Sequence, residues 1–249
     1  MKIRKATGTA AASLAALLLL GSCGMVGGDG EGSSPDGGAP EEPQSTSGEG
    51  DSGAAAIDAE ISSWDPCEVL GDAYNDLTES LRAFEVSGEF LSSPAGVGTP
   101  DDHAMCSNKV IWSEETEDNV GLAEGFVDIS LVPKPSEEEA SERYAELEAD
   151  ARDLYGEDFA ENEVTGWDEG ILFLGDYGVR DAFKVLVRDG SYLIVITLET
   201  GSDLVSGGSG NQADFTVEEA RDHLIDTTLP GVQSAVSERL EEAGVSSGE

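Results

Sequence analysis

The stretch FKVLVRDGSYLIVITLE, residues Phe183–Glu199, decides the class of fold. Two runs rich in β-branched residues, Phe183–Arg188 and Ser191–Glu199, flank the dipeptide Asp189-Gly190. Asp-Gly is a preferred two-residue hairpin turn when both of its positions adopt positive φ. The residues Tyr192–Leu198 are apolar on both faces of a strand, which indicates a central strand covered by helices. The stretch therefore predicts an antiparallel hairpin in the middle of a sheet.

Further strands and helices flank this hairpin along the chain. β-branched and aromatic residues predict strands at Arg82–Ser87, Met105–Trp112, Phe126–Pro133 and Ile171–Leu174. Three helix starts place an N-cap side chain three residues before a glutamate, with the caps at Asp65, Ser136 and Thr216. The third helix is predicted over Val217–Thr228, and Pro230 is expected to break it before a last helical stretch to Glu242.

Apolar spacing behind the first two starts supports helices. The two predicted faces are Leu70, Ala73, Leu77 and Leu81, and Ala140, Tyr144, Leu147, Ala151 and Leu154. The order helix, strands, helix, strands, helix is typical of the α+β class. We therefore predict a single α+β domain over residues 64–249, in which three or four helices cover an antiparallel sheet.

The N-terminus carries the features of an exported lipoprotein. Lys2, Arg4 and Lys5 precede an apolar run at residues 10–20, which is shorter than the about 20 residues that span a bilayer. Leu20-Gly21-Ser22-Cys23 resembles the lipobox of bacterial lipoproteins. We expect cleavage after a signal peptide of residues 1–22, lipid on Cys23, and a location on the outer face of the cell membrane. The alternative is an ordinary signal peptide with a chance cysteine.

Residues 23–63 are predicted to form a tether. After Cys23 the segment is rich in Gly, Ser, Pro, Asp and Glu and contains no Lys, Arg or aromatic residue before residue 64. Such a composition buries too little apolar surface to offset its ordering entropy. We therefore expect a disordered acidic linker between the lipid and the domain.

The charge of the chain limits the kinds of partner. The formal net charge is −39, and without the three basic residues of the signal peptide and the nine acids of the tether, residues 64–249 retain −33. A surface this acidic repels nucleic-acid phosphates and anionic headgroups. We expect no nucleic-acid partner and contact with the membrane through the lipid anchor alone. Charged partners should be cationic, although the same acids also serve solubility in salty surroundings, which is the alternative.

The remaining cysteines and the histidines limit the possible chemistry. With Cys23 assigned to lipid, Cys67 and Cys106 are the only pair, and an exported pair favours a disulfide closing a loop of about 40 residues. A thiol nucleophile would need His103 or His223 as its partner, and metal ligation would need a paired spacing that the sequence lacks. Each histidine is interpreted as a packed or solvated residue rather than a base.

Several of these features together resemble a known family. Asp65-Pro66-Cys67 opens an amphipathic helix, Cys106 leads into strand residues up to Trp112, and Leu174-Gly175-Asp176 precedes a hairpin and a final helix. This arrangement over residues 64–240 resembles an actinobacterial envelope lipoprotein family classed as a domain of unknown function. The resemblance implies a Cys67–Cys106 disulfide and an envelope location, and it implies no activity.

We therefore expect a noncatalytic extracytoplasmic binding domain without catalytic, metal-binding or cofactor-binding residues. Its partner would be an envelope protein, a cell-wall component or a small ligand. The alternatives are an envelope hydrolase, whose G-x-S-x-G, H-E-x-x-H and S-x-x-K patterns are absent from residues 64–249, and a sensor or accessory subunit of a membrane complex. Acid-rich runs at residues 114–118 and 156–159 are interpreted as solvated surface. Trp64, Trp112 and Trp167 are interpreted as packed residues, with a carbohydrate groove as the alternative.

Overall fold

The computed structural model describes residues 50–96, 102–113, 124–155, 160–176, 181–201 and 213–245. Cys23, the signal peptide and the two acid-rich runs lie outside the described residues. The helices are α1 (Gly50–Ser62), α2 (Pro66–Ser80), α3 (Glu137–Tyr155), α4 (Val217–His223) and α5 (Leu229–Glu242). The strands are β1 (Glu85–Ser93), β2 (Ala104–Ile111), β3 (Glu124–Pro133), β4 (Ala160–Glu163), β5 (Glu169–Asp176), β6 (Asp181–Asp189) and β7 (Tyr192–Glu199).

The strands form one antiparallel sheet of seven strands in the order β1-β2-β3-β7-β6-β5-β4. Two meanders, β1–β3 and β4–β7, meet where β3 pairs with β7. β7 is thus the middle strand, as its two apolar faces predict. The α+β class with an antiparallel sheet is confirmed, and the long-range pairing of β3 with β7 joins the two halves into one sheet.

The helices lie on the two faces unequally. α2 and α5 bury their apolar side chains in the larger core together with Ile57 and Ile61 of α1. On the other face α3 packs against β5, β6 and β7 through a smaller core that contains Ala140, Tyr144 and Leu147. Leu154, predicted for the same helix face, is 53% exposed, because it lies beyond Ala151, the last residue of α3 in the smaller core.

The predicted boundary between tether and domain at residue 64 requires a correction. Residues 50–62 form helix α1, and Ile57 and Ile61 are buried in the larger core. The segment Ala54–Ala56 favours helix, and isoleucines four residues apart lie on one helix face. The acidic and small residues around them hide this short apolar stripe when composition alone is considered.

The predicted break at Pro230 is also wrong. Between α4 and α5, residues 224–228 form a π-helical turn, and the helical path continues to Glu242. The backbone N–H of Leu229 donates to the carbonyl of Leu224, so the chain enters α5 with one extra residue in the turn. Pro230 then stands within the first two positions of α5, where its missing N–H costs little.

Smaller differences concern strand ends and turns. The hairpin turn is Gly190-Ser191, one residue later than predicted, because Asp189 pairs with Tyr192; Gly190 alone has positive φ there, at 57°. The first strand begins at Glu85 instead of Arg82. Arg82 lies in the connection between α2 and β1, and its φ of 57° is a left-handed conformation that a strand does not contain. β4, with sequence AENE, carries no apolar alternation and was not predicted.

Candidate functional site

The two cysteines of the domain form a disulfide, as predicted. The Sγ atoms of Cys67 and Cys106 lie 2.11 Å apart and the Cα atoms 4.8 Å apart. The bond connects the first turn of α2 to β2, and Cys106 is fully buried. Neither sulfur is present as the thiolate that nucleophilic attack or metal ligation requires.

The three tryptophans pack in or against the larger core. Trp64 is buried between α1 and α2 and donates from Nε1 to Glu60 at 2.9 Å. Trp112 is buried at the end of β2, where it donates to the carbonyl of Glu199 at 3.0 Å. Trp167 packs against the rim of the larger core. The packing interpretation thus holds for these side chains, since Trp64 and Trp112 are buried and Trp167 packs against the core.

Asp102 joins three elements through charged hydrogen bonds. Its Oδ2 accepts from Lys134 Nζ and Arg143 Nε, each at 2.8 Å, and its Oδ1 accepts from Arg143 Nη2 at 3.0 Å. Burial alone would raise the pKa of Asp102, but the hydrogen bonds and charges of Lys134 and Arg143 outweigh it and lower that pKa to about 2. Asp102, two residues before β2, is therefore connected to the residue after β3 and to α3 by a strong ionic contact.

His103 lies beside this ionic contact and is packed inside the protein. Its side chain is 9% exposed, and its Nε2 is 3.8 Å from Asp102 Oδ1 without a hydrogen-bond partner. Burial lowers the pKa of His103 to about 4 against the opposing charge of Asp102. The imidazole is therefore neutral at neutral pH.

His223 lines a cleft where α2 ends beside α4 and the π-helical turn. The cleft has a volume of about 410 Å³, and its lining residues are Ser80, Leu81, Arg82, Glu219, Asp222, His223, Asp226 and Thr227. Nε2 of His223 lies 3.2 Å from Asp76 Oδ2, although the geometry of this contact is not that of a hydrogen bond. Arg82 binds the Glu219 carboxylate at 3.1 Å and the carbonyl of Asp214.

The cleft contains an imidazole and carboxylates, as a general base would need, but its described residues include no activated nucleophile. Asp76 lies beside the imidazole without a hydrogen bond to it, and Ser80 and Thr227 line the same cleft. Nucleophilic catalysis requires the hydroxyl and the imidazole to be within hydrogen-bond reach, and no such contact joins them among the described residues. In the same part of the chain no group of three His, Cys, Asp or Glu side chains is arranged to hold a metal ion.

A third region lies on the α3 side of the sheet, beside α3 itself. It is formed by side chains of β1, β2 and β3 that alternate with the buried residues of the larger core. This β1–β3 half-face comprises Leu91, Met105, Ser107, Lys109, Phe126 and Asp128. α3 packs on the other half of the sheet, over β5–β7. Leu91 is 62% exposed and Phe126 40% exposed, so the half-face presents large apolar side chains to solvent.

Charge on the half-face is only partly compensated. Lys109 forms an ion pair with Glu124 at 2.7 Å. Asp128 accepts a hydrogen bond from the hydroxyl of Ser107, directly opposite on β2, and no Lys or Arg among the described residues is within ion-pair distance of it. Burial raises the pKa of Asp128 against the effect of that hydrogen bond. Within the described ranges, the half-buried carboxylate of Asp128 thus has a neutral partner, Ser107, and no cationic one.

The sequence contained a signal for this surface that the strand prediction did not use. Within Phe126–Leu131 the residues Val127, Ile129 and Leu131 alternate with Phe126, Asp128 and Ser130. The polar members of that alternation mark a second face of different character. Which elements cover that face depends on the position of α3.

None of the helices among the described residues is long and apolar enough to cross a membrane. No protein-family model matches the sequence, and no curated protein is significantly similar to it.

Proposed function

We propose that this chain is a lipid-anchored lipoprotein of the cell envelope whose folded domain binds a ligand on the β1–β3 half-face and performs no catalysis. The anchor is supported by the lipobox-like Leu20–Cys23 segment and by the resemblance to an actinobacterial lipoprotein family. The single observation that carries the binding role is the half-face itself. There exposed Leu91 and Phe126 lie on the same face as Asp128, a half-buried carboxylate without a cationic partner in the part of the chain that the structure describes.

The chemistry of the surface supports binding. Exposed large apolar side chains beside a few placed polar groups are typical of ligand sites. A half-buried carboxylate loses part of the stabilisation that water gives to its charge. A ligand that binds the carboxylate can replace that stabilisation. The disulfide also supports a noncatalytic role, because it occupies the two thiols of the described domain.

A second candidate function is hydrolysis in the His223 cleft. The 3.2 Å distance from His223 Nε2 to Asp76 Oδ2 favours it, because a carboxylate this close orients the imidazole of a general base once a hydrogen bond forms between them. That candidate requires a rearrangement that brings Ser80 or Thr227 to the imidazole.

Complementation of a deletion strain separates the two candidates. One variant combines Leu91→Thr with Phe126→Thr, which removes the apolar contacts and keeps residues that favour strands. The other combines His103→Gln with His223→Gln. Loss of a true general base costs a factor of about 100 to 10,000 in rate, which is too large to hide in such an assay.

We expect the histidine variant to restore the deletion strain and the half-face variant to fail, with both proteins matched for abundance and disulfide content. Abundance must be matched because a loss of about 1 to 2 kcal/mol lowers the amount of folded protein. The reverse result would replace the binding function with the hydrolase.

A further inference from the structure

We propose that Asp128 binds the ammonium group of a small organic cation whose apolar part lies on Phe126, Met105 and Leu91. This inference rests on the proposed binding function of the β1–β3 half-face and names the class of ligand.

Asp128 occupies the middle of a cross-strand row on the α3 side of the sheet. Leu91 on β1 pairs with Ser107 on β2, Ser107 pairs with Asp128, and Asp128 pairs with Thr197 on β7. Directly opposite residues have Cβ atoms about 5 Å apart. The carboxylate therefore has a hydroxyl-bearing residue on each side along this row.

The positive groups on this side of the sheet do not neutralise Asp128. Lys109 is already paired with Glu124. Lys184 follows Thr197 in the same row, so two strand spacings, about 10 Å, separate its backbone from that of Asp128. No hydrogen bond or ion pair joins Lys184 to Asp128 among the described residues. A ligand that brings its own positive charge supplies the missing partner.

Apolar and aromatic groups border the carboxylate. Phe126 lies two residues before Asp128 on the same face, a separation of about 7 Å along the strand. Met105 is half-buried one row away on β2, and exposed Leu91 stands beyond Ser107. Phe126 is thus a neighbour along the strand for a cation held by Asp128, and aromatic rings attract ammonium groups.

The composition of the site selects an organic monocation. A divalent metal ion prefers several oxygen ligands, whereas the half-face offers one carboxylate, Asp128, that is not already paired, since Glu124 binds Lys109. An anion is repelled by Asp128 and by a chain with a formal net charge of −39. An alkyl or aryl amine satisfies the carboxylate with its ammonium group and covers Phe126 and Leu91 with its hydrocarbon part.

Titration with three similar probes tests the proposal. The protein is the unlipidated mature chain with Cys23→Ser, which keeps every described residue. The probes are 2-phenylethylamine, the neutral 2-phenylethanol and the anionic phenylacetate. Binding is followed by the backbone amide NMR signals of residues 105–109 and 126–128 and by calorimetry. We expect the amine to bind at the half-face and the alcohol and the acid to bind at least tenfold more weakly.

Matched substitutions identify the groups responsible. Asp128→Asn keeps the shape and the contact with Ser107 and should weaken amine binding about tenfold or more, because charged hydrogen bonds are the stronger class. Phe126→Leu should weaken it about two- to fivefold. Asp153→Asn is the control, at an exposed acid on α3, and it should change the affinity for the amine by less than twofold. This variant measures how much the acidic surface as a whole attracts the amine. Thermal unfolding shows that each variant is folded.

Each outcome decides the proposal. Tight amine binding that depends on Asp128 and not on Asp153 supports it. Equal binding of amine and alcohol, equal losses in the Asp128 and Asp153 variants, or no signal change with the amine at tens of millimolar overturns it. The binding function survives those results if the Leu91 and Phe126 variant still fails to complement the deletion, so the two failures are distinguishable.

Discussion

Replacing Cys67 and Cys106 with alanine removes the one covalent connection between α2 and β2. The two residues are 39 apart in the sequence, and the loop between them contains most of α2 and all of β1. Chain-entropy theory gives about 4 kcal/mol for a loop of this length, because the cross-link restricts the unfolded chain. The double alanine variant leaves no buried hydroxyl or thiol. The decrease in its free energy of unfolding should therefore reflect the missing cross-link and a small loss of packing at the buried Cys106.

Urea unfolding of wild type and variant measures this difference. We expect the free energy of unfolding to fall by about 4 kcal/mol and the m-value to rise, because the unfolded chain expands without the cross-link. For a domain of this size the melting temperature should fall by about 8 to 16 °C. The single variant Cys67→Ala should lose a similar amount while exposing one reactive thiol on unfolding.

A decrease in the free energy of unfolding of less than about 1 kcal/mol would contradict this prediction, because it would mean that the loop does not restrict the unfolded chain. Two free thiols in protein prepared from the envelope would refute its starting point. Intact mass before and after reduction distinguishes these cases, since the disulfide form is two hydrogens lighter.

Three further predictions concern the anchor and the buried charges. Cys23→Ala should release the protein into the medium or leave an uncut precursor, and normal processing with retention in the membrane fraction would contradict the lipoprotein proposal. The pKa of His103 is lowered from 6.5 to about 4, so the unfolded state gains a proton at a higher pH than the folded state does. The free energy of unfolding should therefore keep its full value above pH 6.5 and fall by about 3 kcal/mol as the pH approaches 4. His103→Gln should remove this dependence in unfolding measured across that pH range, whereas the control His223→Gln should retain it. Asp102→Asn should lower the free energy of unfolding by about 2 to 4 kcal/mol, because Arg143 and Lys134 lose their shared carboxylate; a loss under about 0.5 kcal/mol in urea unfolding would show that solvent replaces it.

Local sequence predicted the parts of the fold that local physics controls. Thr216 and Glu219 form the predicted capping box, and Ser136 accepts from the backbone N–H of Glu139 at 3.2 Å. Asp65 caps α2 by accepting from Cys67, one residue before the predicted partner. Such contacts depend on residues two or three apart, so their geometry follows from the sequence order itself.

Elements stabilised by distant partners were missed or misplaced. α1 is stabilised by burying Ile57 and Ile61 against a core that forms from remote segments. β4 is a short edge strand held by its pairing with β5, and its sequence alternates no apolar residues. The π-helical turn continues the helix into α5 despite Pro230, and Leu224, Leu229 and Val232 are buried in the core. Tertiary burial outweighed local preference in each case.

The sequence alone determined the class of fold, the covalent pair Cys67–Cys106, the acidic character and the scarcity of histidines, because composition, periodicity and cysteine count are properties of the chain. The candidate sites were decided by the tertiary structure. Asp102 meets Arg143 across 41 residues, and His223 meets Asp76 across a much longer separation. Among the described residues Asp128 has no cationic partner, and α3 packs over β5–β7 and leaves the β1–β3 half-face uncovered by that helix, an arrangement that depends on which remote residues the two cores bury.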